Sequence, residues 1–155
     1  MIIEDAIGQG KVFDVSHLKS GGNLFIAPFK AGAGVEATKQ LNHVVLLAVK
    51  EIVETLQEAK TSLNIVFEDN EEKADFVLKG HVVSFKEPQG ILNRWGLRKK
   101  ELSFGIDCQM TDVASGEVIL RFSHLETTRE KNEGFESVAR KIGREIGTFI
   151  LDQLQ

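Results

Sequence analysis

The residues with the strongest claim to chemistry are Gly32-Ala33-Gly34-Val35-Glu36-Ala37. They fit G-x-G-x-x-A between a predicted strand and a predicted helix. In a dinucleotide site, such glycines let the backbone reach the pyrophosphate at a helix start. Glu68, near the end of the next strand, stands where the ribose-binding acid would. It lies far beyond the roughly 20 residues that the motif specifies, and the chain has no G-x-x-x-x-G-K-[ST] loop. A plain connecting loop is therefore the expectation, with nucleotide binding through Gly32 and Gly34 as the alternative.

The four histidines, His17, His43, His81 and His124, show no metal-ligand spacing and no H-E-x-x-H. His81 and His124 fall on strands expected to neighbour one another, and exposed or singly hydrogen-bonded imidazoles are expected. Asp69, Glu71 and Asp75 lack the glycine and terminal glutamate of a calcium loop. The one cysteine, Cys108, excludes an intrachain disulfide and a thiolate zinc site. It sits on the apolar face of a predicted strand, beside Asp107, and reads as a buried small hydrophobe. No serine stands in G-x-S-x-G. No catalytic residue, cofactor or metal is expected, and the chain reads as non-enzymatic.

One segment stands apart. Residues 86–100 form a long connection between two predicted strands. They hold the only tryptophan, Trp95, among Arg94, Arg98, Lys99 and Lys100, in a chain of net charge −4. Trp with Arg is a common interface anchor, and Trp beside basic residues also suits an anionic membrane surface. These five residues are the candidate partner-binding site. The competing reading folds Trp95 back onto the core.

The elements that would position these groups follow from periodicity. Leu24–Phe29 reads as a buried strand, with Pro28 marking an edge or a strand end. Leu41 to Ala59 places Leu41, Val44, Val45, Ala48, Val49, Ile52, Val53 and Leu56 on one helical stripe. Leu63–Phe67 follows as a strand, so a parallel crossover is expected. Asp75–Phe85 is a strand with Gly80 as a bulge or bend. Glu101–Val113 alternates cleanly: Leu102, Phe104, Ile106, Cys108 and Met110 face one way. Ala114-Ser115-Gly116 turns into an antiparallel partner, Glu117–Thr127. A second helix runs from Phe135 to about Leu154. Its Gly143 and Gly147 predict a close approach to the sheet or to another helix, since glycine costs a helix about 1 kcal/mol.

The chain order β-α-β-β-β-β-α predicts an α+β, two-layer sandwich. Its mixed, mostly antiparallel sheet has about five strands, with two helices on one face. Residues 24–155 form one domain, and residues 1–23 form an extended arm that packs on it or leads from a tether. The 155 residues (17.2 kDa), 42% hydrophobic and 27% charged, suit one globular domain. The acidic balance argues against nucleic acid. The longest apolar run, Val44 to Val49, is far short of the ~20 residues that span a bilayer. Met1-Ile2-Ile3-Glu4-Asp5 is not a signal peptide. A cytosolic start and a chain trimmed after a leader look the same.

Three stretches carry a resemblance. They are Ile26-Ala27-Pro28-Phe29; Ala74-Asp75-Phe76-Val77-Leu78-Lys79-Gly80-His81-Val82, similar to an A-D-x-V-L-x-G-x-V strand; and Asp112-Val113-Ala114-Ser115-Gly116-Glu117-Val118, similar to a D-x-x-T-G-E-V hairpin. Over about residues 24–154 the chain resembles small bacterial envelope lipoproteins of unknown function. Those proteins are related in architecture to the amino-terminal domain of TolB and to the curli-secretion lipoprotein. Ser115 stands where the family often has threonine, and the lipidated cysteine is not in this sequence. The resemblance implies a periplasmic domain, tethered through a leader outside this chain, that binds an envelope protein or membrane surface, or its own copies, in assembly rather than catalysis. The expected contact is an exposed sheet edge, whose backbone groups are unpaired, or the 86–100 segment. The alternatives are a cytoplasmic nucleotide-binding domain and a homo-oligomerising structural protein.

Overall fold

In the computed structural model the described residues are 2–3, 9–86, 102–128 and 134–155. The elements are β1 (Ile2–Ile3), β2 (Gln9–Val12), α1 (Ser16–Lys19), β3 (Gly22–Ile26), β4 (Lys30–Ala31), α2 (Lys39–Glu58), β5 (Leu63–Val66), β6 (Phe76–Lys86), β7 (Leu102–Asp112), β8 (Val118–Thr128) and α3 (Phe135–Asp152). A 3-10 segment, Glu68–Lys73, follows β5.

The strands form one sheet in the order β1-β2-β8-β7-β6-β3-β5, with β4 also paired to β6. The middle of the sheet is the antiparallel meander β6-β7-β8, eleven residues to each strand. The strand β3 runs parallel to both β5 and β6, as the expected β3-α2-β5 crossover requires. The α+β class holds. The described sheet has eight strands rather than about five, because β1, β2 and β4 are too short to show a period. The amino-terminal arm packs on the domain: β2 pairs with β8, and Leu18 of α1 is fully buried.

The core lies between the sheet and the two long helices. Ile106, Cys108 and Met110 of β7 are buried while Asp107 and Gln109 face outward, as period two requires. The helix α2 begins at Thr38, whose hydroxyl accepts from the Leu41 N–H at 3.1 Å. It buries Leu41, Val44, Val45, Ala48, Ile52 and Leu56. Along α3, Val138, Ala139, Ile142, Ile146 and Phe149 are buried, and the Phe149 ring sits 5.0 Å from that of Phe122 on β8.

The paired glycines of α3 meet the other helix. A Cβ on Gly143 would strike the carbonyl oxygen of Ala48, and one on Gly147 would come within 2.8 Å of Thr55 Cβ. The backbones approach so closely that no side chain fits between them. Gly80 does not form the expected bulge. It pairs regularly with Cys108, and the register shifts between Val82 and Ser84. The space above Gly80 is taken by Phe29 and the Cys108 sulfur, either of which a Cβ would meet at 2.8 Å.

Candidate functional site

Arg94, Trp95, Arg98, Lys99 and Lys100, together with the 86–100 connection that bears them, lie outside the described residues apart from the end of β6. The strand ends leading there are fixed: the Phe85 ring packs 6.0 Å from Phe104 and 5.3 Å from Phe135.

The Gly32–Gly34 loop is built for the sheet. The Gly32 N–H donates to Val82 O at 2.9 Å, and a Cβ there would lie 2.8 Å from that oxygen. The Val35 N–H donates back to Gly32 O. The helix α2 starts only at Lys39, with Thr38 capping it. A phosphate cradle needs backbone N–H groups pointing from the loop at the helix start. Here the amides of Gly32 and Val35 are already spent, and four residues separate Gly34 from α2.

The described surface carries the open sheet edge that was expected and, beside it, a groove that sequence reasoning missed. β5 ends the sheet, so its outer edge is unpaired among the described residues. An open groove of about 700 Å³ runs between it and α2. Leu46, Val49, Val53, Pro28, Ile65 and Phe67 line it, with Glu54, Glu68 and Asp69 among its charged residues. Leu46 is 62% exposed and Phe67 55%. Leu46 interrupts no helical pattern, since it sits in the run Val44 to Val49, so only the packing of α2 shows that it faces away from the core. At the other end of the sheet, beyond β2, Phe13 is 49% exposed and the Lys11 ammonium lies 5.0 Å from its ring centre.

The expectation for His81 and His124 is corrected. The strand β7 stands between theirs, with His81 opposite Asp107 and His124 opposite Ile106. His81 is exposed and lies 3.8 Å from Asp107. His124 is buried on the helix side. Its Nε2 meets Glu126 Oε1 at 2.9 Å and Glu145 of α3 more closely still. The Lys141 ammonium is 3.3 Å from Glu126. Burial, then the hydrogen bond it donates to Glu126, raises the Glu145 carboxyl above its ordinary value. Burial also pushes Glu126 up, but hydrogen bonds with Glu145 and Lys141 outweigh it and leave that carboxyl lowered. No spacing rule links position 124 to position 145, so this cluster is not legible in the sequence.

Cys108 is buried, as expected, and burial drives its thiol far above the ordinary value. That keeps it protonated and unreactive. Among the described residues no helix is long and apolar enough to cross a membrane.

This arrangement, a meander with parallel strands along one side and two helices on one face, recurs in other proteins. No family model matches the chain, and no curated protein matches it by sequence. Solved structures share the fold. The PelC dodecamer from Paraburkholderia phytofirmans is 17% identical, with a TM-score of 0.60 over 94% of this chain and 94% of that one. Protein XCC0632 from Xanthomonas campestris is 9% identical, with a TM-score of 0.63 over 86% and 85%. Lipoprotein GNA1162 from Neisseria meningitidis is 11% identical, with a TM-score of 0.53 over 85% and 96%. At these identities the likeness is one of fold. At that level it bears out the resemblance to envelope lipoproteins.

Proposed function

We propose that this chain is a non-enzymatic module of the bacterial cell envelope that assembles with copies of itself. The observation that carries this reading is the groove beside β5, with Leu46 and Phe67 in solvent. Burying two such side chains contributes about 1.5–3 kcal/mol each. The groove has acidic groups beside its apolar wall. The opposite end of the sheet offers an aromatic ring under an ammonium, a complementary patch. One end of a copy against the other end of the next is a heterologous contact, and such contacts make a ring where the rotation closes and a filament where it does not. PelC, of the same fold, forms a dodecamer. GNA1162, also of this fold, is a lipoprotein, which supports the envelope address.

Light scattering on the variant Leu46→Glu/Phe67→Glu tests the reading. Both side chains are exposed, so the fold should persist while the assembly falls to 17.2 kDa. The same change at the exposed Val113, away from the groove, should leave the assembly intact. An assembly that survives Leu46→Glu/Phe67→Glu overturns the assignment of the groove.

The composition of residues 86–100 favours a second contact, to another envelope protein or an anionic membrane surface. Trp95→Ala with Arg98→Ala should weaken retention in the membrane fraction and leave the thermal midpoint nearly unchanged. Unaltered retention would remove that segment from the account.

A further inference from the structure

We propose that His124, Glu126 and Glu145 form a site for a divalent transition-metal ion, best matched by zinc, that clamps α3 onto β8. The three residues offer one nitrogen and two carboxylate oxygens within 4.8 Å of one another. This is a donor set zinc accepts, with water free to complete the tetrahedron. The geometry comes from two elements. His124 and Glu126 are two apart on β8, so both project from the face that meets the helices. Glu145 comes down from α3 onto the same imidazole nitrogen.

The site is built rather than incidental to the surface. The side chains of His124, Glu126 and Glu145 are 7%, 13% and 24% exposed. Two carboxylates brought together in a largely dry setting repel each other and lose hydration. Lys141 supplies one ammonium, on the far oxygen of Glu126. A divalent ion among all three donors would relieve that repulsion further. It has a way in: Glu145 and Lys141 also line an open cleft, with His43, Arg140 and Arg144, between the amino-terminal halves of α2 and α3.

Calorimetric titration of chelator-treated, full-length protein with zinc chloride, in a buffer that does not bind metal, tests the proposal. One ion should bind per chain. Glu145→Gln, nearly isosteric and partly exposed, should weaken binding more than roughly tenfold. Glu126→Gln should do likewise. His124→Asn should abolish binding; if that variant does not fold, the two glutamine variants decide. Cobalt in place of zinc should give the visible spectrum of nitrogen and oxygen ligands without a sulfur charge-transfer band. Thermal unfolding of the wild type should shift upward with zinc, and that shift should vanish in Glu145→Gln. No zinc heat in the wild type overturns the proposal. So does binding that persists undiminished in both glutamine variants, because the ion would then sit on other surface groups. Neither result touches the oligomeric state, so this proposal and the assembly reading fail separately.

Discussion

Asp112 holds a turn together from three sides. Its Oδ1 accepts from the Ala114 N–H at 3.0 Å, its carbonyl accepts from the Gly116 N–H at 2.8 Å, and its Oδ2 meets His17 Nδ1 at 2.8 Å. Asp75 does comparable work: its Oδ2 accepts from the Asn23 N–H, and its carbonyl from Val113. Both are the aspartates of the motifs that gave the resemblance, and both are explained by backbone pairing. Asp112→Ala should cost about 0.5–1.5 kcal/mol in denaturant unfolding, the net worth of a typical hydrogen bond, because the donors it releases on Ala114 and His17 can turn to solvent. The contact with His17 adds a pH dependence. The hydrogen bond to Asp112 raises His17 above its ordinary 6.5, and the one from His17 lowers Asp112 below 3.8. The pair therefore stabilises most between those values. It weakens as pH falls through the Asp112 value and as pH rises through that of His17. His17 is exposed, so solvent keeps the effect small. The gap in thermal midpoint between wild type and His17→Gln should be widest near about pH 5 and narrow past neutrality. A gap independent of pH would sink this account. The contact of His17 with Asp112 could not be read from spacing, because the two meet only through the fold.

Helices α2 and α3 and the three long strands were legible because each repeats its apolar period for several turns or pairs. The short strands were not, since two to four residues carry no period. Gly143 and Gly147 were legible as a contact but not as to its partner, which the register of α3 on α2 decides. Gly143→Val and Gly147→Val should each force the helices apart and cost about 1–3 kcal/mol, the usual overpacking range. Chemical denaturation measures it. A loss below a few tenths would mean that the helices separate easily, and that α3 is held mainly by its contacts with β7 and β8. The bulge tells a similar lesson. Gly80 was the residue that local rules select, yet the sheet places the shift at Val83 because Phe29 and Cys108 require Gly80 in regular register.

At the scale of the molecule, two features follow from open ends rather than from any motif. The sheet stops at β5 on one side and at β1 and β2 on the other, and each end leaves apolar surface in solvent. Exposed strand edges pair with other chains unless they are covered. Self-assembly covers them, and charge complementarity sets the direction. Lys11→Glu should therefore weaken assembly, and Glu68→Lys/Asp69→Lys should restore part of it in the same chain; equal mass for all three would remove the charge argument. The groove was hidden in the sequence because its wall residues are ordinary members of a helix and a strand. Their exposure is a property of the packed whole. The central claim is that copies of this chain bind one another. Sedimentation velocity of the wild-type protein across a wide dilution series tests it most directly. The account predicts a species at a fixed multiple of 17.2 kDa that dissociates on dilution or persists throughout; a monomer at every concentration would contradict it.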